Sequence, residues 1–116
     1  MSLDRYRQSL ALMKLPPNEI TWFPKWLSAY AADPEVKSRI PAGGDIPVEW
    51  DLVIGFLRGL RDNQVQAWRR LQAARAIEIY QVTVLRTSVV DFRPIRDKLN
   101  EIAGREKRAG GGLLHE

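Results

Sequence analysis

The sequence has no cysteine. That removes disulfides, thiol nucleophiles and thiolate metal sites together, and it fits a reducing compartment. There is one histidine, His115, in the tail. A lone imidazole without partners makes neither a catalytic triad nor a metal centre. No glycine pattern leads into Lys-Ser/Thr, so Gly43-Gly44 reads as a turn and not as a phosphate cradle. Asp and Glu are scattered without a recognisable catalytic spacing, and no nucleophile has a base within reach. These absences argue against a self-contained enzyme, and no cofactor, metal or small-molecule ligand is expected. No apolar run approaches the length of a membrane span. No N-terminal segment has the charged, apolar, small-residue order of a signal peptide. The expectation is a cytoplasmic protein without a membrane partner.

What is present is a chain of 116 residues, 45% apolar, enough for one domain with one core. The formal net charge is +4, a weak pointer to a polyanion. Of the 18 basic residues, 13 are Arg and 5 are Lys. Arg is the better fork for phosphate oxygens and guanine edges.

The stretch Gln66–Arg86 has neither Pro nor Gly and is rich in helix formers. It predicts a central helix, with Ala73, Ala76, Ile77, Tyr80 and Val84 on one face. Arg69, Arg70 and Arg75 lie in its N-terminal half, with Gln66 and Gln72 between them. That half presents guanidinium and amide groups; it is either a surface for a polyanion or a solvated helix end.

Other helices are expected on both sides of it. Ser2–Lys14 can form a short amphipathic helix carrying Leu3, Tyr6, Leu10 and Met13. Glu19–Ala32 carries an aromatic stripe of Trp22, Phe23, Trp26, Leu27 and Tyr30, and Lys25 lies off that stripe. Pro24 there suggests a start near Thr21 or Trp22. Asp33–Pro47, with its prolines and paired glycines, reads as a loop carrying Lys37 and Arg39. Val48–Asp62 is amphipathic, Asn63 is a plausible cap, and a short Asn63–Val65 turn makes a helical hairpin with the central helix. Thr87–Phe92 reads as a connector and Pro94–Arg105 as a last helix. Glu106–Gly112 reads as a basic, glycine-rich linker. The architecture is all-α, four to five short helices around one core.

Several of these segments together resemble the N-terminal SAM-like, core-binding domain of tyrosine recombinases of the integron and phage integrase type. The resemblance rests on Trp22-Phe23-x-x-Trp26-Leu27-x-x-Tyr30, on Val53-Ile54-Gly55-Phe56-Leu57-Arg58-Gly59-Leu60, and on Ala73, Ala76-Ile77 and Tyr80. The ending Gly112-Leu113-Leu114-His115-Glu116 is similar to the start of the catalytic domain in the same proteins. Residues 1–17 would then be an N-terminal extension, 18–105 the core-binding domain, and 106–116 a linker leading into a catalytic domain. The family often has Ser/Thr and Asn/Gln at the start of the central helix; here Ala67, Trp68, Arg69 and Arg70 stand there.

The resemblance implies a module that grips one side of recombination-site DNA while another domain supplies the tyrosine nucleophile. Double-stranded DNA and other recombinase protomers would be its partners. The residues expected to meet DNA are Arg69 and Arg70 first, then Gln66, Gln72, Arg75, Arg61, Asn63 and Lys25. Trp68 reads either as hairpin core or as a stacking residue. The alternatives are a helical protein–protein interaction or oligomerisation domain, and a helix-turn-helix regulator.

Overall fold

The computed structural model describes residues 2–114, with side chains from Leu3 to Arg108. His115 and Glu116 lie outside the described residues, as do the side chains of the Gly112–Leu114 stretch that resembles a catalytic-domain start. Among the described residues the chain forms six α-helices and no strand: α1 (Ser2–Leu12), α2 (Pro17–Ala32), α3 (Pro34–Ser38), α4 (Trp50–Asp62), α5 (Ala67–Tyr80) and α6 (Arg93–Leu114). None of these helices is long and apolar enough to cross a membrane.

α5 is the axis of the bundle. α2, α4 and α6 all pack on it, so Ala67, Ala73, Ala74, Ala76, Ile77 and Tyr80 are buried. Small side chains on several sides let three helices approach one backbone. The helix has no side-chain cap at Gln66. Instead Ala67 N–H donates to Glu106 Oε1 of α6 at 2.8 Å. The stretch expected as a linker from Glu106 instead continues α6 as helix, and its first carboxylate meets the unsatisfied donors at the start of α5.

The central helix does not stay α-helical to its end. Gln81–Leu85 forms a π-helical turn, and Arg86 closes it in the left-handed region with φ 55°. Gln81 is buried. Its amide accepts from Val90 N–H at 2.9 Å and donates to Val90 O at 3.0 Å. This paired contact fixes the 86–92 connector and seats Val90 and Phe92 in the core.

The α4–α5 turn has an equally local cause. Asn63 ends α4 and Gln64 takes the left-handed conformation at φ 64°. Gln64 N–H then donates to Arg61 O and Val65 N–H to Leu60 O, satisfying the last carbonyls of α4.

The aromatic stripe divides. Phe23, Trp26, Leu27 and Tyr30 are buried, while Trp22 is 38% exposed. α2 starts earlier than the proline suggested. Pro17 occupies the first helical position, and Pro24 lies in the interior, where it leaves the Ile20 carbonyl without its usual donor. The buried stripe on either side carries the helix through that loss. Within the stretch expected as a loop, α3 forms because Asp33 caps it, accepting from Glu35 N–H at 3.0 Å and Val36 N–H at 3.5 Å. With α1, whose Tyr6 and Leu10 are in the core, α3 raises the count above the four to five expected.

Three buried tyrosines tie the layers together. Tyr6 donates to Ala76 O at 2.8 Å, Tyr30 donates to Pro47 O at 2.7 Å, and Tyr80 accepts from Ile46 N–H at 2.9 Å. Tyr6 and Tyr80 also meet edge to face at 5.8 Å. Burial raises the Tyr6 and Tyr30 phenols well above their ordinary value of 10.0.

Candidate nucleic-acid interface

α2 and α5 meet along a polar seam. From α5 it takes Arg69, Gln72 and Arg75, three residues apart and so on one side of the helix. From α2 it takes Glu19, Trp22, Phe23 and Trp26. Arg75 forks onto Glu19 at 2.6 and 3.2 Å and lies over the Phe23 ring. Gln72 Oε1 accepts from Trp26 Nε1 at 2.9 Å. Both side chains expected to face DNA thus have partners within the protein.

Arg69, at the end of this seam, differs. Its guanidinium lies 5.8 Å from the Trp22 ring centre and 5.9 Å from that of Trp26. Lys25 Nζ lies 4.6 Å from the Trp22 ring centre. Among the described residues neither cation has a carboxylate within ion-pair distance. Cation–π attraction to the indole faces is the contact these two cations make among the described residues. Trp68 is 54% exposed, which removes it from the hairpin core. Its indole N–H donates to Gln66 Oε1 at 3.0 Å. Asn18, Trp22, Gln66, Trp68, Arg69 and Gln72 line a shallow depression of about 350 Å³.

The basic surface extends onto α1, beyond the residues expected from the sequence. Arg7 of α1 and Lys25 line a neighbouring hollow with Thr21 and Ser28. Arg7 has no carboxylate partner among the described residues. The sequence signal for it was weak but present, since Arg7 follows the core residue Tyr6 and so falls off the buried face of α1.

Arg70 is placed apart from Arg69. It is 7% exposed; its Nε donates to Val65 O at 3.1 Å and Nη2 lies 3.9 Å from Glu106 Oε2. One residue of helix is a rotation of about 100°, enough to send neighbouring arginines to opposite sides. Arg61 is exposed and sits against Asp62 at 3.3 Å, and Asn63 is exposed in the turn. The expected contact set therefore separates into an outward group (Lys25, Gln66, Arg69), a seam (Gln72, Arg75), a buried member (Arg70) and a turn (Arg61, Asn63).

Several ion pairs elsewhere close within the protein. Arg39 bridges Glu49 and Asp51 at 2.8 and 2.9 Å, and these carboxylates raise its pKa. Arg93 holds the Asp91 carboxyl down to about 2. Arg96 Nε is 3.2 Å from Glu78 but out of line for a hydrogen bond, so the ion pair is electrostatic only. Among the described residues no group of His, Asp or Glu could hold a metal ion. No family model, no curated protein and no solved structure matches the chain.

Proposed function

We propose that the chain is a DNA-binding module of the kind found at the N-terminal side of tyrosine-type site-specific recombinases, working in the cytoplasm beside a catalytic domain and other protomers. The observation that carries the reading is the Trp22–Lys25–Arg69 cluster. It offers two cations without carboxylate partners, preset by indole faces, next to the half-exposed Trp68 and the Gln66 amide. Arg7 continues the basic surface across α1. Cations seated near an indole face lose less freedom on meeting phosphate than free ones, and an adjoining amide and indole suit contacts at a groove edge. The all-helical bundle is compatible with the resemblance in the helical motifs.

Duplex binding through this face is electrostatic, so log K falls with log salt by about 0.9 for each phosphate neutralised. Fluorescence anisotropy of a short labelled duplex, titrated with the chain at rising salt, tests it. Salt-dependent binding that weakens when Lys25 and Arg69 become Ala is expected. Binding that the double substitution leaves unchanged would refute the assignment of the face.

A further inference from the structure

A second basic surface lies away from the α2–α5 seam, in the groove between α4 and α6. Its volume is about 320 Å³. Its walls combine two chemistries. Ile54, Leu57, Ile95, Leu99 and Ile102 supply an aliphatic floor, and Arg58, Arg61, Arg70 and Lys98 surround it. No acidic residue lines it. Arg58 and Lys98 have no carboxylate partner among the described residues, and Arg61 has only its exposed neighbour Asp62. Ile54 and Ile102 are incompletely covered. Trp50, 51% exposed, stands one turn before Ile54 on the same side of α4 and extends the apolar strip.

We infer that this groove docks an amphipathic helix of a partner protein, with an aliphatic stripe flanked by carboxylates. Duplex DNA is a poorer fit, because phosphates give the aliphatic floor nothing to pack against. A second copy of this chain is also a poorer fit: each of its helices carries at least as many basic as acidic residues. An acidic amphipathic helix satisfies both halves. Its aliphatic residues, at three- and four-residue spacing, cover Ile54 and Ile102, and its carboxylates reach Arg58 and Lys98. The chain itself shows the carboxylate half of this chemistry at one lining residue, Arg70, whose Nη2 lies 3.9 Å from Glu106 Oε2.

The test uses a labelled helical peptide of about 15 residues with leucines at i, i+3, i+4 and i+7 and glutamates on both flanks. A scrambled peptide of the same composition and a lysine-for-glutamate peptide are the controls. Anisotropy near physiological salt should give binding at least about tenfold tighter than either control. Arg58→Glu with Lys98→Glu should weaken it by about tenfold or more, while Lys25→Ala with Arg69→Ala leaves it unchanged. Both rim residues are exposed, so the charge-reversed variant should melt like the parent. Equal binding of the scrambled peptide, or insensitivity to the charge reversal, overturns the inference. So does a duplex that displaces the peptide and is itself lost on charge reversal, since the groove would then be a nucleic-acid surface.

Discussion

Arg69 and Arg70 are adjacent in sequence, and single substitutions should separate them cleanly. Arg70→Ala removes a charge-assisted hydrogen bond to the Val65 carbonyl, the companion of the Glu106 carboxylate, and a packed aliphatic stem. A hydrogen bond from a charged group contributes about 1.5–3 kcal/mol, and with the lost packing the cost is about 3 kcal/mol. Unfolding entropy of roughly 2.1 cal/mol/K per residue gives about 0.24 kcal/mol/K for 116 residues. The melting temperature should therefore fall by about 12 °C. Lys25→Ala with Arg69→Ala breaks no ion pair or hydrogen bond, so melting should move by about 2 °C at most. The same double variant should make the salt slope of duplex binding shallower by about 1.8, two phosphates' worth. Circular-dichroism melts and anisotropy at several salt concentrations measure both quantities. An Arg70→Ala chain that melts like the parent refutes the buried anchor. A slope unchanged by the double variant refutes the outward pair.

Three further outcomes follow from the fold. Gln64→Gly should raise stability by about 0.5–1 kcal/mol, since glycine accepts the left-handed conformation at φ 64° without strain; chemical denaturation reads it, and a loss would contradict the turn geometry. Gln81→Leu leaves the buried Val90 N–H and O without partners. It should cost about 2–4 kcal/mol and speed hydrogen exchange at Val90 and Phe92 before the rest of the core. Tyr6 and Tyr30 have folded pKa values raised above 10.0. Their contribution is fully present below pH 10 and is lost as pH rises from there towards the folded values. Alkaline titration followed at the tyrosinate absorption should show these two ionising only with unfolding, and independent ionisation near pH 10 would contradict their burial.

Helices with a one-sided apolar pattern were readable from sequence. α4 and the stripe of α2 announce themselves because each has a single buried face, and Ala73, Ala76, Ile77 and Tyr80 lie inside as expected. α5 exceeded the reading because it is enclosed on several sides, so Ala74 and Arg70 are buried as well. Periodicity records one face; it does not register a polar side chain drawn inward by a carbonyl across a turn. α3 was present in the sequence as Asp33-Pro34-Glu35, a cap, a first-turn proline and an acidic residue, but five residues are too few to show periodicity. At the candidate interface the residue types were visible and their sorting was not. Whether an arginine faces out or pairs with Glu19 depends on which side of α5 receives α2, a tertiary fact. The exposure of Lys25 follows from its place off the stripe, between Trp22 and Trp26.

The contact between Glu106 and the first N–H of α5 spans 39 residues and has a temporal meaning. While the chain is being synthesised, the opening turn of its central helix has no local cap, and its capping carboxylate is still to come. α5 can associate with α2 and α4 as soon as it emerges, but its first turn waits for α6 to be translated through residue 106 and to fold back. Nascent chains halted before that point should have a frayed start to α5, with Arg70 released from its carboxylate. The start of the central helix is thus completed by a residue made 39 positions after it.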